Sequence, residues 1–439
     1  MVIAGSRRQG LPHTCVLLAA LWIGTQSTVG EDAATHWYRG NLHTHSLWSD
    51  GNDFPEMITD WYVQNGYHFL GISDHNILQR GEKWMPLDAI QRRGGDPDLT
   101  RYRARFGDAW VETRERDGKV EVRLKRLEEY RTLFEKPGQF LLLEAEEITD
   151  SFQRYPIHVN ANNLQEYIRP QGGGSVREVM ANNLRAILEQ GRRTGRPILG
   201  HVNHPNYGFA ITAEDMAAVH EERFFEVYNG HPSVRHQGDA QHPSVERLWD
   251  ISNTLRMLEH KQPPLYGLAT DDSHNYFSRF NSPGCGWVWV RAARLEADEI
   301  IQAIFRGDFY ASSGVKLADI RFDEKEGIFQ ITIDAEEGVT YQTEFIGTLK
   351  SVDLSSEPVL DENQQPIHAT RKYSSEIGKV LATVQGPVAI YRMTGEELYV
   401  RAVVTSSKEH PNPSFTNQKE QAWVQPVVWR KAGEAASGN

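Results

Sequence analysis

Residues 41 to 51 read Asn41-Leu42-His43-Thr44-His45-Ser46-Leu47-Trp48-Ser49-Asp50-Gly51, and this stretch decides the fold. At the end of a first strand, successive side chains alternate between faces, so His43 and His45 point to one side with a short bite suited to a single divalent ion. Asp50 follows in the same loop. It either joins or bridges metals, or it serves as the turn residue beside Gly51. The other strand ends decide between these roles.

Outward from this stretch the same association recurs. Phe69-Leu70-Gly71-Ile72 runs into Ser73-Asp74-His75-Asn76, and Leu141-Leu142-Leu143 into Glu144-Ala145-Glu146-Glu147. His158 closes Pro156-Ile157, His204 follows Ile198-Leu199, and Thr270-Asp271-Asp272-Ser273-His274 ends the run from Tyr266 to Ala269. Six strands thus end in metal-ligand chemistry. A core histidine satisfied by hydrogen bonds explains any one of them, and that explanation is kept for His68, His220 and His260. It fails for the set, because burying several imidazoles and carboxylates together without a cation costs several kcal/mol per group. Divalent metal removes that conflict.

The rest of the composition bounds the chain. Its 439 residues, 39% hydrophobic and 24% charged, describe an ordinary globular chain of two domains and exclude disorder, collagen and a membrane bundle. Arg7 and Arg8 precede an apolar run from Cys15 to Ile23 that is too short to span a bilayer, and Thr28 and Gly30 offer small residues for cleavage before Glu31. Residues 1–30 therefore read as a signal peptide, which makes the mature chain secreted or periplasmic, with no stable membrane span. Ser6-Arg7-Arg8 suggests a twin-arginine signal, but Gly10 stands where a bulky apolar residue is expected, so the route is left open. Removal turns 47 basic against 59 acidic residues into 45 against 59, a balance of −14, which disfavours extended nucleic acid as a partner. Of two cysteines, Cys15 lies in the signal, leaving Cys285 as a lone thiol and no disulfide scaffold. Stability must come from the core.

From about 36 to 312, short apolar runs alternate with amphipathic stretches, an α/β pattern. Strands are expected to end near His43, Ser73, Glu147, His158, Val202, Tyr228 and Thr270, with helices at 55–65, 121–136, 175–194, 244–260 and 296–306. Asp53 with Glu56, and Ser175 with Glu178, have capping-box spacing. Residues 79–137 are too long for a simple connection and read as a helical insertion or lid, with a solvated excursion preferred over a substrate-gripping lid. After Gly314 the texture turns strand-like, giving a small all-β sandwich-like domain over 315–430 and a tail over 431–439. That domain has no comparable acid–histidine cluster and is assigned support, or the binding of a protein or glycan. Between Glu147 and His158 there is no room for a crossover helix, so the sheet is distorted there or one strand runs the other way.

Leu42-His43-Thr44-His45 with Ser49-Asp50-Gly51, Ile72-Ser73-Asp74-His75-Asn76, Glu147-Ile148-Thr149, His158, His204-Pro205 and Asp272-Ser273-His274 resemble, in order, the motifs of the polymerase and histidinol phosphatase (PHP) superfamily of metal-dependent phosphoesterases. The resemblance covers roughly residues 36 to 312. It implies a distorted (β/α)7 barrel over residues 31–314 and two or three divalent ions, zinc, manganese or iron. It implies hydrolysis of phosphate mono- or diesters of a small phosphorylated substrate by a metal-activated hydroxide. The ligand set it implies is His43, His45, Asp50, His75, Glu147, His158, His204, Asp272 and His274, with Glu147 and Asp50 as bridges. Glu147 is preferred on register over Glu144 and Glu146, and His204 over His201.

Asp50, Asp74 and His274 are the candidate catalytic residues. Asp74, beside a ligand, either orients an imidazole or moves a proton, or it is a turn or cap residue. Glu226, Asn229 and His231, at the end of the strand over 225–228, are candidates for outer-shell or substrate contact, or else for structural packing, and Arg279 is a candidate phosphate clamp. Gly172-Gly173-Gly174 before Ser175 either offers amides to an anion or forms a flexible loop. Two competing readings stand beside the phosphoesterase. An amidohydrolase-type enzyme would often bridge its metals through a carbamylated lysine, and no lysine sits at the third or fourth strand end. A non-catalytic, metal-stabilised binding protein would close its ligand shell, whereas catalytic ions keep a free position.

Overall fold

The computed structural model describes residues 34–430, so the signal at 1–30 and the tail at 431–439 lie outside the described residues. A thirteen-stranded sheet organises them, in the order Tyr266–Thr270, Phe224–Asn229, Leu199–Val202, Tyr155–Asn162, Leu141–Phe152, Phe69–Ile72, His36–Asn41, Trp287–Ala292, Phe309–Ser312, Lys419–Val427, Glu397–Glu409, Tyr341–Leu349 and Lys379–Gln385. The fold is mixed α/β with additional antiparallel sheets. The strand order is open and does not draw a closed barrel. At one point the two ends of the site-bearing half meet, where Thr44 and Ser273 form a parallel bridge. Among the described residues no helix is long and apolar enough to cross a membrane.

His36–Asn41, Phe69–Ile72 and Leu141–Phe152 pair in parallel, as do Leu199–Val202, Phe224–Asn229 and Tyr266–Thr270. Between these groups the chain reverses. Leu141–Phe152 and Tyr155–Asn162 form an antiparallel hairpin closed at Phe152↔Tyr155, with Gln153 in the left-handed region. An antiparallel pair needs only a two-residue turn, which removes the missing-crossover difficulty. It also corrects the expectation that every ligand ends a strand, since Glu147 and His158 lie within this hairpin.

Four expected helices form, at Pro55–Gln64, Val176–Thr194, Val245–Leu258 and Ala297–Arg306. Ser175 caps its helix by accepting from the Glu178 amide. The Asp53–Glu56 box does not form, because Phe54 is the cap residue and Glu56 instead accepts from Tyr102 Oη and Trp110 Nε1. The helix expected at 121–136 begins only at Leu127, and Lys119–Leu124 is a strand. Lys-Val-Glu-Val-Arg-Leu alternates with period two, and Asp117-Gly118, both at positive φ, turn it into a hairpin with Thr113–Arg116. Burying Val122 and Leu124 stabilises that choice by about 1.5–3 kcal/mol each.

Residues 79–137 are not a solvated excursion. Ile90, Tyr102, Val122 and Leu124 share one apolar cluster with Leu47, Trp48 and Phe54, so the segment packs on the loop that carries Asp50. Beyond Gly314 the strands are antiparallel. Leu317–Asp323, Ile328–Ile333 and Val388–Arg392 form a three-stranded layer whose Phe329 and Ile331 pack against Phe345, Ala402 and Val404 of the main sheet. The main sheet runs continuously into this region through Tyr310↔Val424.

Candidate metal centre

The first strand ends at Asn41, whose side chain fixes the course of the next residues. Its Oδ1 accepts from the His43 amide at 2.9 Å, and its Nδ2 donates to Tyr62 Oη and to Asp271. The segment from His43 to His45 is woven between neighbours: the Asp272 amide donates to His43 O, the His45 amide to Ser273 O and the Ser73 amide to Thr44 O, each at 2.9 Å. Alternation then sends Thr44 Oγ1 toward Ser273 and Tyr276, and His43 and His45 to the opposite side.

There the nine implied ligands converge. His43 Nε2 and His45 Nε2 stand 3.1 Å apart, and Asp272 Oδ1 is 3.1 Å from each. Glu147 Oε1 is 3.0 Å from His158 Nδ1, 3.4 Å from His43 Nε2 and 3.5 Å from His204 Nε2. Asp50 approaches His75 Nε2 at 3.5 Å and His274 Nε2 at 3.4 Å, and His45 stacks between His75 and His274 at 4.4 and 4.1 Å. Three donor groups have ligand atoms close enough to share a cation: His45, Asp50, His75 and His274; His43, His45 and Glu147; and His75, Glu147 and His158.

The donors fit a metal on their own chemistry. Glu226 Oε1 lies 2.7 Å from His43 Nδ1, and with the proton on that nitrogen the neutral imidazole donates to Glu226 and turns its Nε2 lone pair toward His45, the carboxylate–imidazole arrangement that orients metal ligands. Glu147 Oε2 is buried and lies 2.6 Å from His75 Nδ1. Burial is the largest influence on both imidazoles and favours their neutral forms. His45 is carried down to about 4, with His274 and His75 adding to the effect. At His43 the carboxylates of Asp272, Glu226 and Glu147 outweigh burial and raise the pKa well above its usual value. A cation at the shared position relieves facing lone pairs and crowded carboxylates together.

Supporting side chains account for the rest. Glu226 accepts from Thr270 Oγ1 at 2.7 Å and from the His204 amide and Asn229 Nδ2 at 2.8 Å. Burial pushes its carboxyl up, but the His43 imidazole and its hydrogen bond hold it down at about 2. Asn229 also donates to Asp272 Oδ2, so it is part of the scaffold and turns no group toward a substrate. Asp74 is likewise consumed: its two oxygens accept from the Ser46 amide, Ser46 Oγ, Ser49 Oγ and Gln79 Nε2. It anchors the Ser46–Ser49 loop and has no oxygen free for proton transfer.

Arg279 is exposed, and no described contact joins its side chain to the cluster. His231 does lie at the rim, its ring centroid 5.5 Å from His274 and 6.0 Å from Tyr207. The Ser233 amide donates to its Nδ1, so a neutral His231 carries its proton on Nε2. Glu144 pairs outward with Arg80, and Glu146 accepts from the Ile168 amide, which leaves Glu147 alone in the cluster. His201 is buried, with neither ring nitrogen hydrogen-bonded among the described residues. It falls in none of the three donor groups, and neither do His204 and Asp272, but His204 Nε2 lies 3.5 Å from Glu147 Oε1 whereas His201 Nδ1 comes only within 3.9 Å of Glu226. Gly172 and Gly174 donate their amides to Asp150 and Glu178, so that run is not an anion site. Sequence reasoning missed Asn203, which donates to Glu147 Oε1 at 2.7 Å, and Tyr207, which packs on His204; both flank the His204-Pro205 motif.

Exposure is graded across the centre. The His43 and His45 side chains are fully buried, whereas those of His274, His75 and Asp50 are 18%, 25% and 54% exposed. The lip is therefore open to a ligand. A cavity of about 500 Å³ is lined by Pro156, Tyr207, Phe209, Ser233 and Arg235, and Tyr207 also packs on His204. A roomier cavity of about 720 Å³, against the Val176–Thr194 helix, is lined by none of the cluster residues and is not the chemical site.

No family model matches the chain, and no curated protein matches it. Among solved structures it is similar to a two-domain protein containing a predicted PHP-like metal-dependent phosphoesterase from Bacteroides vulgatus ATCC 8482. That likeness has 13% identity and a TM-score of 0.37, over 89% of this chain and 95% of that one. It is also similar to a candidate metal-dependent phosphoesterase from Bifidobacterium adolescentis ATCC 15703, at 13% identity and a TM-score of 0.27, over 54% of this chain and 87% of that one. Likeness this distant carries no argument. The donor geometry stands by itself.

Proposed function

We propose that this chain is a PHP-type metal-dependent phosphoesterase that hydrolyses phosphate mono- or diesters at a centre of two or three divalent ions, zinc, manganese or iron. The observation that carries the reading is the overlap of three donor groups through His45, His75 and Glu147, buried at the floor and open at the Asp50 lip. Divalent ions bound there lower the pKa of coordinated water from 15.7 to about 7 and offset charge on phosphoryl oxygens. Asp50, Glu147, Asp272 and the supporting Glu226 bring four negative charges, so two ions balance them and a third turns the pocket positive. That sign draws a phosphate ester into an acidic protein.

The protein's own groups divide the remaining work. Glu226 fixes the His43 tautomer, Asp74 and Asn229 hold the loops, and His231 offers an Nε2–H at the rim to an oxygen of the substrate. Among the described residues, none of the cluster's hydrogen bonds or ion pairs involves a lysine, which speaks against the amidohydrolase alternative. The open lip speaks against a purely structural metal shell. Export through residues 1–30, a barrel-like arrangement of the first half, and binding of a protein or glycan by the strands after Gly314 belong to the same proposal.

The test is turnover of p-nitrophenyl phosphate and its bis-ester by metal-stripped protein reloaded with Mn²⁺ or Zn²⁺. The reading expects hydrolysis that appears with the ion and falls at least about 100-fold in Glu147→Ala. Loaded wild-type protein that cleaves no ester in a broad phosphoester panel contradicts it.

A further inference from the structure

We infer that Arg93, from the inserted segment, is a positioning residue that sets the affinity of the outer cation site through the loop bearing Asp50. The inference rests on the metal reading above and goes beyond it by giving the insertion a task. Asp50 is the most exposed donor of the centre, and it must be held 3.4–3.8 Å from His274, His75 and His45. Apart from these, its side chain accepts one hydrogen bond among the described residues, from Ser49 Oγ at 3.4 Å, so its place depends on the backbone on either side.

That backbone is gripped from the insertion. Arg93 Nη1 donates both to Ser49 O and to Gly51 O, the carbonyls flanking Asp50. Asn52 Nδ2 donates back to Arg93 O at 3.3 Å and to Asn275 Oδ1 at 3.0 Å, while the Asn52 amide donates to His274 O at 3.0 Å. The turn that presents Arg93 is itself fixed, since the Gly94 amide donates to Gln91 O and the Gly95 amide to Ile90 O. Gly95 packs so closely that an added Cβ would sit 2.3 Å from Asn52 O. Trp48 Nε1 donating to Lys125 O ties the other end of the loop to the same segment.

Electrostatics and positioning predict opposite signs. A guanidinium beside a cation site repels the incoming ion, so removing it would tighten binding if charge were the whole effect. If Arg93 acts by holding the loop, removing it frees Asp50 and weakens binding, as losses behind metal ligands typically do by 10–100-fold.

The experiment titrates metal-stripped full-length protein with Mn²⁺, reading affinity by calorimetry and the spectrum of the bound ion by electron paramagnetic resonance. Arg93→Ala is expected to weaken one class of site at least about tenfold and to leave the Glu147-containing classes within about twofold. Asp50→Ala should lose the same class, the double variant should lose no more, and Arg93→Lys should recover most of it. Gly95→Ala, which disturbs Asn52 while keeping Arg93, should weaken the same class and reports the outcome if Arg93→Ala does not fold. Unchanged or tighter outer binding in Arg93→Ala overturns the inference, as does an equal loss from every class. Wild-type protein that takes up no Mn²⁺ instead overturns the metal reading itself, which separates the two failures.

Discussion

His43 and His45 face each other through their Nε2 atoms at 3.1 Å, and Asp272 Oδ1 lies 3.1 Å from both. Two buried ring nitrogens at this distance can share one proton or one cation between them, and a bound ion would take that place, with Glu226 2.7 Å from the other ring nitrogen of His43. Local strand geometry creates the pair, and a divalent ion held by both lone pairs and by Asp272 would stabilise it. Ion removal should therefore be felt in stability. Binding to the native state alone contributes about 4 kcal/mol when free ion is a thousand times Kd. Thermal melts should show a clear fall in Tm with a chelator and recovery on adding back Mn²⁺ or Zn²⁺. An unchanged Tm contradicts the account.

Glu226 touches no substrate in this scheme, yet it decides which His43 nitrogen is free. Glu226→Gln keeps the shape and removes the charge that accepts the Nδ1 proton. Metal affinity is expected to drop by about 10–100-fold with the fold intact. Calorimetry reads the affinity and circular dichroism the fold; undiminished affinity counts against the assigned role.

Much of this centre is legible in the sequence, because strand alternation and motif order depend on local chain geometry. The convergence of His43, His45, His75 and Asp272 is legible for that reason. The features that escape a sequence reading depend on partners far away along the chain. Asp74 reads equally as a proton-moving or a structural residue until Ser46, Ser49 and Gln79 surround it, and Asn229 as outer-shell, substrate-facing or packing until Glu226 and Asp272 claim it. The hairpin at Asp117-Gly118 is hidden by charged residues that suit an exposed helix as well as an exposed strand. The open sheet order and its continuation past Gly314 arise from long-range pairing that no local pattern encodes.

Glu222 carries a pH signature independent of the metal centre. It is fully buried, with neither oxygen hydrogen-bonded among the described residues, and burial raises its pKa from 4.5 to about 8, the charge of Arg256 opposing only in part. The folded state thus binds more protons than the unfolded state between pH 4.5 and 8. The stability this group allows is fully present below 4.5 and is lost as pH rises toward 8. Glu222→Gln should remove a penalty of up to about 4 kcal/mol at pH 8 and little at pH 4.5. Chemical denaturation of both proteins across that range checks this; a gain confined to low pH contradicts the sign.

Arg401 and Asp250 join the C-terminal strands to the Val245–Leu258 helix. The guanidinium is buried and bidentate, at 2.8 and 2.7 Å, and Tyr399 Oη adds a bond to the same carboxylate. Removing one partner strands the other, so Arg401→Ala should cost about 3–5 kcal/mol. The Asp250→Asn, Arg401→Met double variant should cost clearly less. Denaturant midpoints measure both, and equal losses would show that the pairing is not what matters.

The most direct measurement is the ion content of metal-stripped wild-type protein after equilibration with Mn²⁺ or Zn²⁺ and removal of free ion. Overlap of the donor groups predicts at least two ions per chain, falling by at least one in Glu147→Ala, which removes the carboxylate two groups share. A correctly folded wild-type protein that retains no ion would contradict the account at its root.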